Sequence, residues 1–93
     1  MSNSEPLPFE VYLTDRAERS LVRLDRQIAR RILRKLTTLA ENVEVVQHVA
    51  MAGRWKGYYR IRIGDYRAIY DLDYNERILI VILIGHRREV YDD

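Results

Sequence analysis

Three stretches of this chain alternate apolar and polar residues, two repeat apolar residues at helical spacing, and one is apolar throughout. Phe9, Val11 and Leu13 alternate with Glu10 and Tyr12, which predicts a strand over residues 9–13 with those three side chains inward. Thr14 or Asp15 follows as a helix cap, and Asp15 with Glu18 three residues on resembles a capping box. Ala17, Leu21 and Leu24 give this short helix a narrow apolar stripe. Asp25 is a second cap and opens a longer helix, ending near Glu41 with Asn42 as its C-cap. Ile28, Ile32, Leu36 and Leu39, flanked by Ala29, Leu33 and Ala40, form a stripe wide enough to cover a sheet. Residues 43–53 show no period and predict a loop, with a short extended piece at Val43–Val46.

The second half reads as strands. Tyr59, Ile61 and Ile63 alternate with Tyr58, Arg60 and Arg62, and Gly64-Asp65 fits a two-residue type II′ hairpin loop with glycine at the positive-φ position. If Ile63 pairs with Tyr66 across that turn, Ile61, Ile63, Tyr66, Ala68 and Tyr70 share one face, and Arg60, Arg62 and Arg67 share the other. Asp73 to Glu76 supplies the next turn, and Ile78 to Ile84 is a run of seven apolar residues. Such a run predicts a strand inside the sheet with both faces buried. The order β-α-α-β-β-β predicts an α+β fold, a two-helix hairpin packed on one face of a mostly antiparallel four-stranded sheet. Residues 1–8 read as a flexible leader and 9–93 as a single domain.

Composition narrows the chemistry. The absence of cysteine excludes disulfides and thiolate metal sites, and two histidines without a carboxylate cluster argue against any metal or other cofactor. No signal peptide or membrane span is evident, so a cytoplasmic protein is the default. Net charge is only +2, yet cations crowd the long helix (Arg26, Arg30, Arg31, Arg34, Lys35) and the hairpin region. Arginine far outnumbers lysine, which suits phosphate recognition.

Candidate chemistry gathers at the ends of the strands. The last strand runs into Gly85-His86-Arg87-Arg88-Glu89-Val90-Tyr91, with glycine releasing the chain. Antiparallel return beside the preceding strand would bring His86 and Arg87 near Arg67, and through the hairpin near Arg60 and Arg62. Three arginines on one hairpin face fit either a solvated surface or a polyanion site. RNA can be cleaved without a metal when the 2′-OH attacks the adjacent phosphorus. That reaction requires proton transfer at two oxygens and charge neutralisation on the phosphorane. Arginines suit the third task, histidine or tyrosine the first two. Trp55 and Tyr58 could stack on unpaired bases, beside Arg54, Lys56 and Arg88. Each aromatic has an ordinary packing role open to it as well.

Two motifs, Tyr59-Arg60-Ile61-Arg62-Ile63-Gly64-Asp65-Tyr66-Arg67-Ala68-Ile69-Tyr70 and Gly85-His86-Arg87-Arg88-Glu89-Val90-Tyr91, resemble those of the RelE/ParE superfamily of type II toxin–antitoxin toxins. The resemblance covers about residues 9–91 and implies a ribosome-dependent endoribonuclease that cuts mRNA in the A site. It implies no metal or other cofactor, inhibition by a cognate RelB-like antitoxin, and contact with DNA only through the antitoxin complex. The residues implied as catalytic are Arg60, Arg62, Arg67, His86, Arg87 and Tyr91. Arg87 stands where an acid or charge stabiliser is implicated, and Tyr91 resembles a C-terminal tyrosine base. Arg26, Arg30, Arg31, Arg34 and Lys35 are expected to face the ribosome. The ParE branch shares the fold but poisons DNA gyrase, and a non-catalytic RNA- or ribosome-binding module is a further alternative.

Overall fold

The computed structural model describes residues 7–90, so the first six residues of the expected leader and Tyr91 lie outside the described residues. Strand β1 (Glu10–Leu13) leads into helix α1 (Asp15–Val22) and helix α2 (Arg26–Glu41). Strands β2 (Val49–Ala50), β3 (Tyr59–Ile63), β4 (Tyr66–Asp73) and β5 (Ile78–His86) follow. They form one sheet in the order β1-β5-β4-β3-β2, antiparallel except where β1 lies parallel to β5. The α+β fold is the one expected, with a fifth strand added at its edge. That strand replaces the extended piece expected at Val43–Val46, where the chain turns instead.

Local chemistry sets the helix ends. Thr14, not an Asp15–Glu18 box, caps α1 by accepting from the Ala17 N–H at 3.2 Å. Its hydroxyl also donates to the Ile82 carbonyl, tying the cap to the sheet. Asp25 caps α2 by accepting from Gln27 N–H, and Asn42 closes it. The apolar stripes of both helices then bury Ala17, Leu21, Ile32, Leu36, Leu39 and Ala40 against the sheet. The sheet contributes Ile63, Ala68, Tyr70, Leu79, Val81 and Ile84 to the same core. Leu33 falls off the stripe and stays exposed.

β5 lies between β1 and β4, inside the sheet as its apolar run predicts. Its burial nevertheless alternates: Leu79, Val81 and Ile84 are buried, whereas Ile80, Ile82 and Leu83 are half-buried. Helices α1 and α2 cover one face. Among the described residues, the other is covered by the segment before β3, which includes a 3-10 turn at Gly53–Trp55, and by the turn after β5. There Ile69 packs with Met51 and Val90, and with the partly buried Trp55, Tyr58 and Leu83. The strand also runs past Ile84 to His86, so Gly85 is inside it.

Candidate functional site

The hairpin has the register its turn requires. Ile63 pairs with Tyr66, Arg62 with Arg67, Ile61 with Ala68 and Arg60 with Ile69. Gly64 has φ +61°, the left-handed value a type II′ turn needs at its first position. Period-2 geometry therefore starts Arg60, Arg62 and Arg67 on the face opposite the helices, and at the β3 edge Arg60 and Arg62 also line clefts with residues of α2. Beside them, Trp55 and Tyr58 meet edge to face at 5.7 Å, and the Arg54 guanidinium lies 5.9 Å from the Trp55 ring centroid. Lys56 is exposed next to this pair.

The three arginines differ in what they can reach. Arg62 is exposed and Arg60 half-buried, but Arg67 is only 8% exposed. Its Nη1 donates to the carbonyls of Gly64 and Tyr66 at 3.2 and 3.1 Å. These bonds staple the hairpin turn to its own strand, so part of this guanidinium is committed to backbone.

The end of β5 does return to the hairpin, but its side chains divide between faces. Arg67 pairs with Gly85 and Tyr66 with His86. His86 therefore lies on the Tyr66 side, with ring centroids 5.4 Å apart, and not on the side of Arg67. Gly85 is needed for space: a Cβ there would stand 2.9 Å from Val90 Cγ2 and 3.3 Å from Glu89 Oε1. The chain after His86 folds back over the strand. Glu89 and Val90 N–H donate to the His86 carbonyl, and the His86 N–H donates to Glu89 Oε1. Arg87 N–H donates to the Asp65 carbonyl at 2.7 Å, fastening this turn to the hairpin loop. The Arg88 N–H approaches His86 Nδ1 at 3.2 Å, which makes Nδ1 an acceptor and leaves the neutral ring's proton on Nε2. In that tautomer His86 offers a donor to its surroundings, not a base. Arg87 and Arg88 are exposed.

Helix cations and hairpin meet at a place the sequence did not indicate. Arg31, Arg34, Lys35 and Thr38 of α2 line a cleft of about 280 Å³ with Arg62, Ile63 and Gly64. The Arg31 guanidinium lies against Gly64, where a Cβ would stand 2.9 Å from its Nη1. A second groove, of about 400 Å³, continues along the same seam between Lys35, Thr38, Leu39, Val45, Val46 and Ile61. Arg26 and Arg30 are exposed on α2 and line neither cleft.

The wall of this seam is the loop without sequence periodicity, held by His48. Its Nε2 lies 2.8 Å from the Val43 carbonyl and its Nδ1 2.5 Å from the Tyr70 hydroxyl. Burial and the neighbouring Tyr59 and Tyr74 hydroxyls push Tyr70 well above the ordinary tyrosine range. A lone histidine among valines was the one available signal. Among the described residues, no group of three or more His, Asp or Glu side chains could hold a metal ion.

A family model described as ParE toxin of type II toxin-antitoxin system, parDE, matches residues 11–91. The fold is similar to that in the toxin–antitoxin complex RelBE2 from Mycobacterium tuberculosis, with TM-score 0.76 and 23% identity over 87% of this chain and 100% of that one. The archaeal RelE–RelB complex from Pyrococcus horikoshii OT3 gives TM-score 0.68 and 22% identity, covering 90% of this chain and 100% of that one. The YoeB/ParE toxin from Agrobacterium tumefaciens gives TM-score 0.69 and 17% identity, covering 84% and 98%. At these identities the likeness is one of fold. Comparison with curated proteins gives no match.

Proposed function

The chain belongs to the ParE toxin family of type II toxin–antitoxin systems, within the RelE/ParE superfamily, and on that premise we propose that it acts as a binding poison of DNA gyrase and is neutralised by a cognate antitoxin. The observation that carries this reading is the family match over residues 11–91. The placement of His86, the proton-transfer candidate among the described residues, agrees with it. A general base must reach the proton it removes, yet His86 lies away from the arginine face with Nδ1 already accepting. Arg67 is partly committed to two backbone carbonyls. A binding poison needs neither group free. Its site of action would be cytoplasmic; among the described residues no helix is long and apolar enough to cross a membrane.

For the antitoxin, the α2–β3 seam offers the best fit. β2 covers the outer edge of β3 only at Tyr59 and Arg60, and Ile61 and Ile63 extend beyond it. An extended segment can add to such an edge through its backbone. The groove beside it is aliphatic, and the cleft at its end is lined by Arg31, Arg34, Lys35 and Arg62. A segment of apolar residues followed by acidic ones complements both. RelBE2 and the archaeal RelE–RelB structure are themselves toxin–antitoxin complexes.

A second reading, ribosome-dependent mRNA cleavage, is favoured by one observation: Arg60, Arg62 and Arg67 share a face beside the Trp55–Tyr58 pair. In that reading Arg60, Arg62, Arg67 and Arg87 hold the scissile phosphate, with His86 and Tyr91 as proton-transfer candidates. Arg54, Trp55, Lys56, Tyr58 and Arg88 contact RNA, and the α2 cations face the ribosome. Two assays separate the readings: supercoiling by purified gyrase, and mapping of mRNA 5′ ends in a translating extract, each with and without the protein. Inhibited supercoiling without new 5′ ends is expected. Cleavage within codons with unimpaired supercoiling would replace the gyrase reading with the ribonuclease.

A further inference from the structure

The imidazole of His48 bridges the turn after α2 and the middle of β4 through its two ring nitrogens. Val43 closes the turn after α2, and Tyr70 lies in the middle of β4, 1% exposed. A carbonyl oxygen only accepts, so Nε2 carries the proton that goes to Val43, and Nδ1 accepts from the Tyr70 hydroxyl. Both contacts go to neutral groups. The titratable neighbours are Tyr59 of β3, whose ring lies 5.5 Å away, and Tyr70 of β4, at 5.7 Å. Of the charged residues, Arg60 and Arg62 line the same cleft as Tyr70, and Arg60 pairs with Val49 next to His48, whereas Glu44 is held by Arg77.

We propose that His48 is a proton-operated latch that fastens residues 43–50 to the sheet and lets them open when its ring is protonated. The geometry fits the neutral ring, with one donor to Val43 and one acceptor for Tyr70. An imidazolium has two N–H groups and no acceptor. Val43 still receives its bond, but Nδ1–H now points at the Tyr70 oxygen. The Tyr70 hydroxyl must turn its own proton away into a buried setting, where the described hydrogen bonds offer it only His48. Burial also keeps that hydroxyl from ionising and so from becoming a natural partner for the cation. Protonation therefore weakens the join between loop and strand, whereas the pairing of β3, β4 and β5 remains intact.

The loop so released is the wall of the seam. Val46, Gln47 and Val49 line a cleft with Leu39, Ile61 and Tyr70, and β2 begins immediately after His48. Opening would withdraw that wall and the short β2 from β3. The consequence for antitoxin capture rests on the docking reading given above; the opening itself does not.

Hydrogen exchange on the full chain tests this, read at about pH 8 and pH 5, the interval in which imidazoles titrate. After correction for intrinsic exchange, protection of residues 44–50 should fall about tenfold on acidification, with β4 and β5 unchanged. His48→Gln, which stays neutral and can still donate to Val43, should abolish the difference. Tyr70→Phe should abolish it too and serves if the first variant does not fold. His86→Gln should retain it. Equal protection of 44–50 at both pH values in the parent, or the same fall in His48→Gln, would overturn the latch. Measured alongside, antitoxin affinity independent of pH despite an opened loop supports the latch and rejects the seam as the docking site.

Discussion

Under the helices, the sheet meets Ile32, Leu36 and Leu39 and closes a core around Tyr70, Leu79 and Val81. On the opposite face, Ile69 is as fully buried as any of these, yet its cover is Met51, Val90 and the partly buried Trp55, Tyr58 and Leu83. The first cover comes from continuous helices, each capped and held by its own backbone ladder. The second comes from two mostly irregular segments, one before β3 and one after β5, fixed by a few turn hydrogen bonds. Burial of one residue therefore does not imply an equally stable surrounding. The arginine face and the aromatic pair lie on the thinly covered side, where segments can shift without dismantling the main core.

The comparison is tested most severely by truncating one side chain on each face. Leu36→Ala should cost about 4 kcal/mol in urea denaturation, because the helices and sheet around it cannot collapse into the space. Met51→Ala should cost about 2 kcal/mol, since its loop can relax. Equal losses would mean that the second face is as rigid as the first.

A smaller effect probes how the C-terminal turn is seated. Gly85→Ala places a methyl group 2.9 Å from Val90 Cγ2, so Val90 must move or the strand must bend. The expected cost is about 1–3 kcal/mol, with faster amide exchange at residues 86–90 and little change under the helices. Unchanged exchange in that turn would show that Val90 has room to yield and that glycine is not required.

The smallest effect per step concerns Tyr70, whose hydroxyl holds its proton above the ordinary tyrosine range because it is buried. The unfolded chain loses this proton from about pH 10 upward, whereas the native hydroxyl keeps it. The native state then binds more protons, so stability is full below about pH 10 and falls as pH rises beyond it. The slope from this group is about 1.4 kcal/mol per pH unit until the native hydroxyl itself ionises. Tyr70→Phe should remove that part of the alkaline decline. A decline of the same slope in the variant would assign it to other groups.

Much of the frame was legible in the residues because it depends on near neighbours. The Gly64-Asp65 turn determined the hairpin register and, with it, the shared face of Arg60, Arg62 and Arg67. Asp25 and Asn42 marked the limits of α2, and the apolar stripe between them named the side that meets the sheet. Other features required contacts distant in sequence. β2 exists only because Val49 and Ala50 meet Arg60 and Tyr59, and a two-residue strand leaves no period to read. The sequence pattern puts His86 beside Arg67 only if Gly85 ends β5. In the folded chain the strand continues through Gly85, and one further step of period two carries His86 to the other face. Gly85 itself answers to Val90, which returns to it from beyond the strand. The helix and hairpin cations lie far apart in sequence, and packing of α2 along β3 made Arg31, Arg34, Lys35 and Arg62 one cleft. Alternation along a strand fixes which side chains share a face, but only tertiary packing decides where the strand stops and what comes to lie against each face.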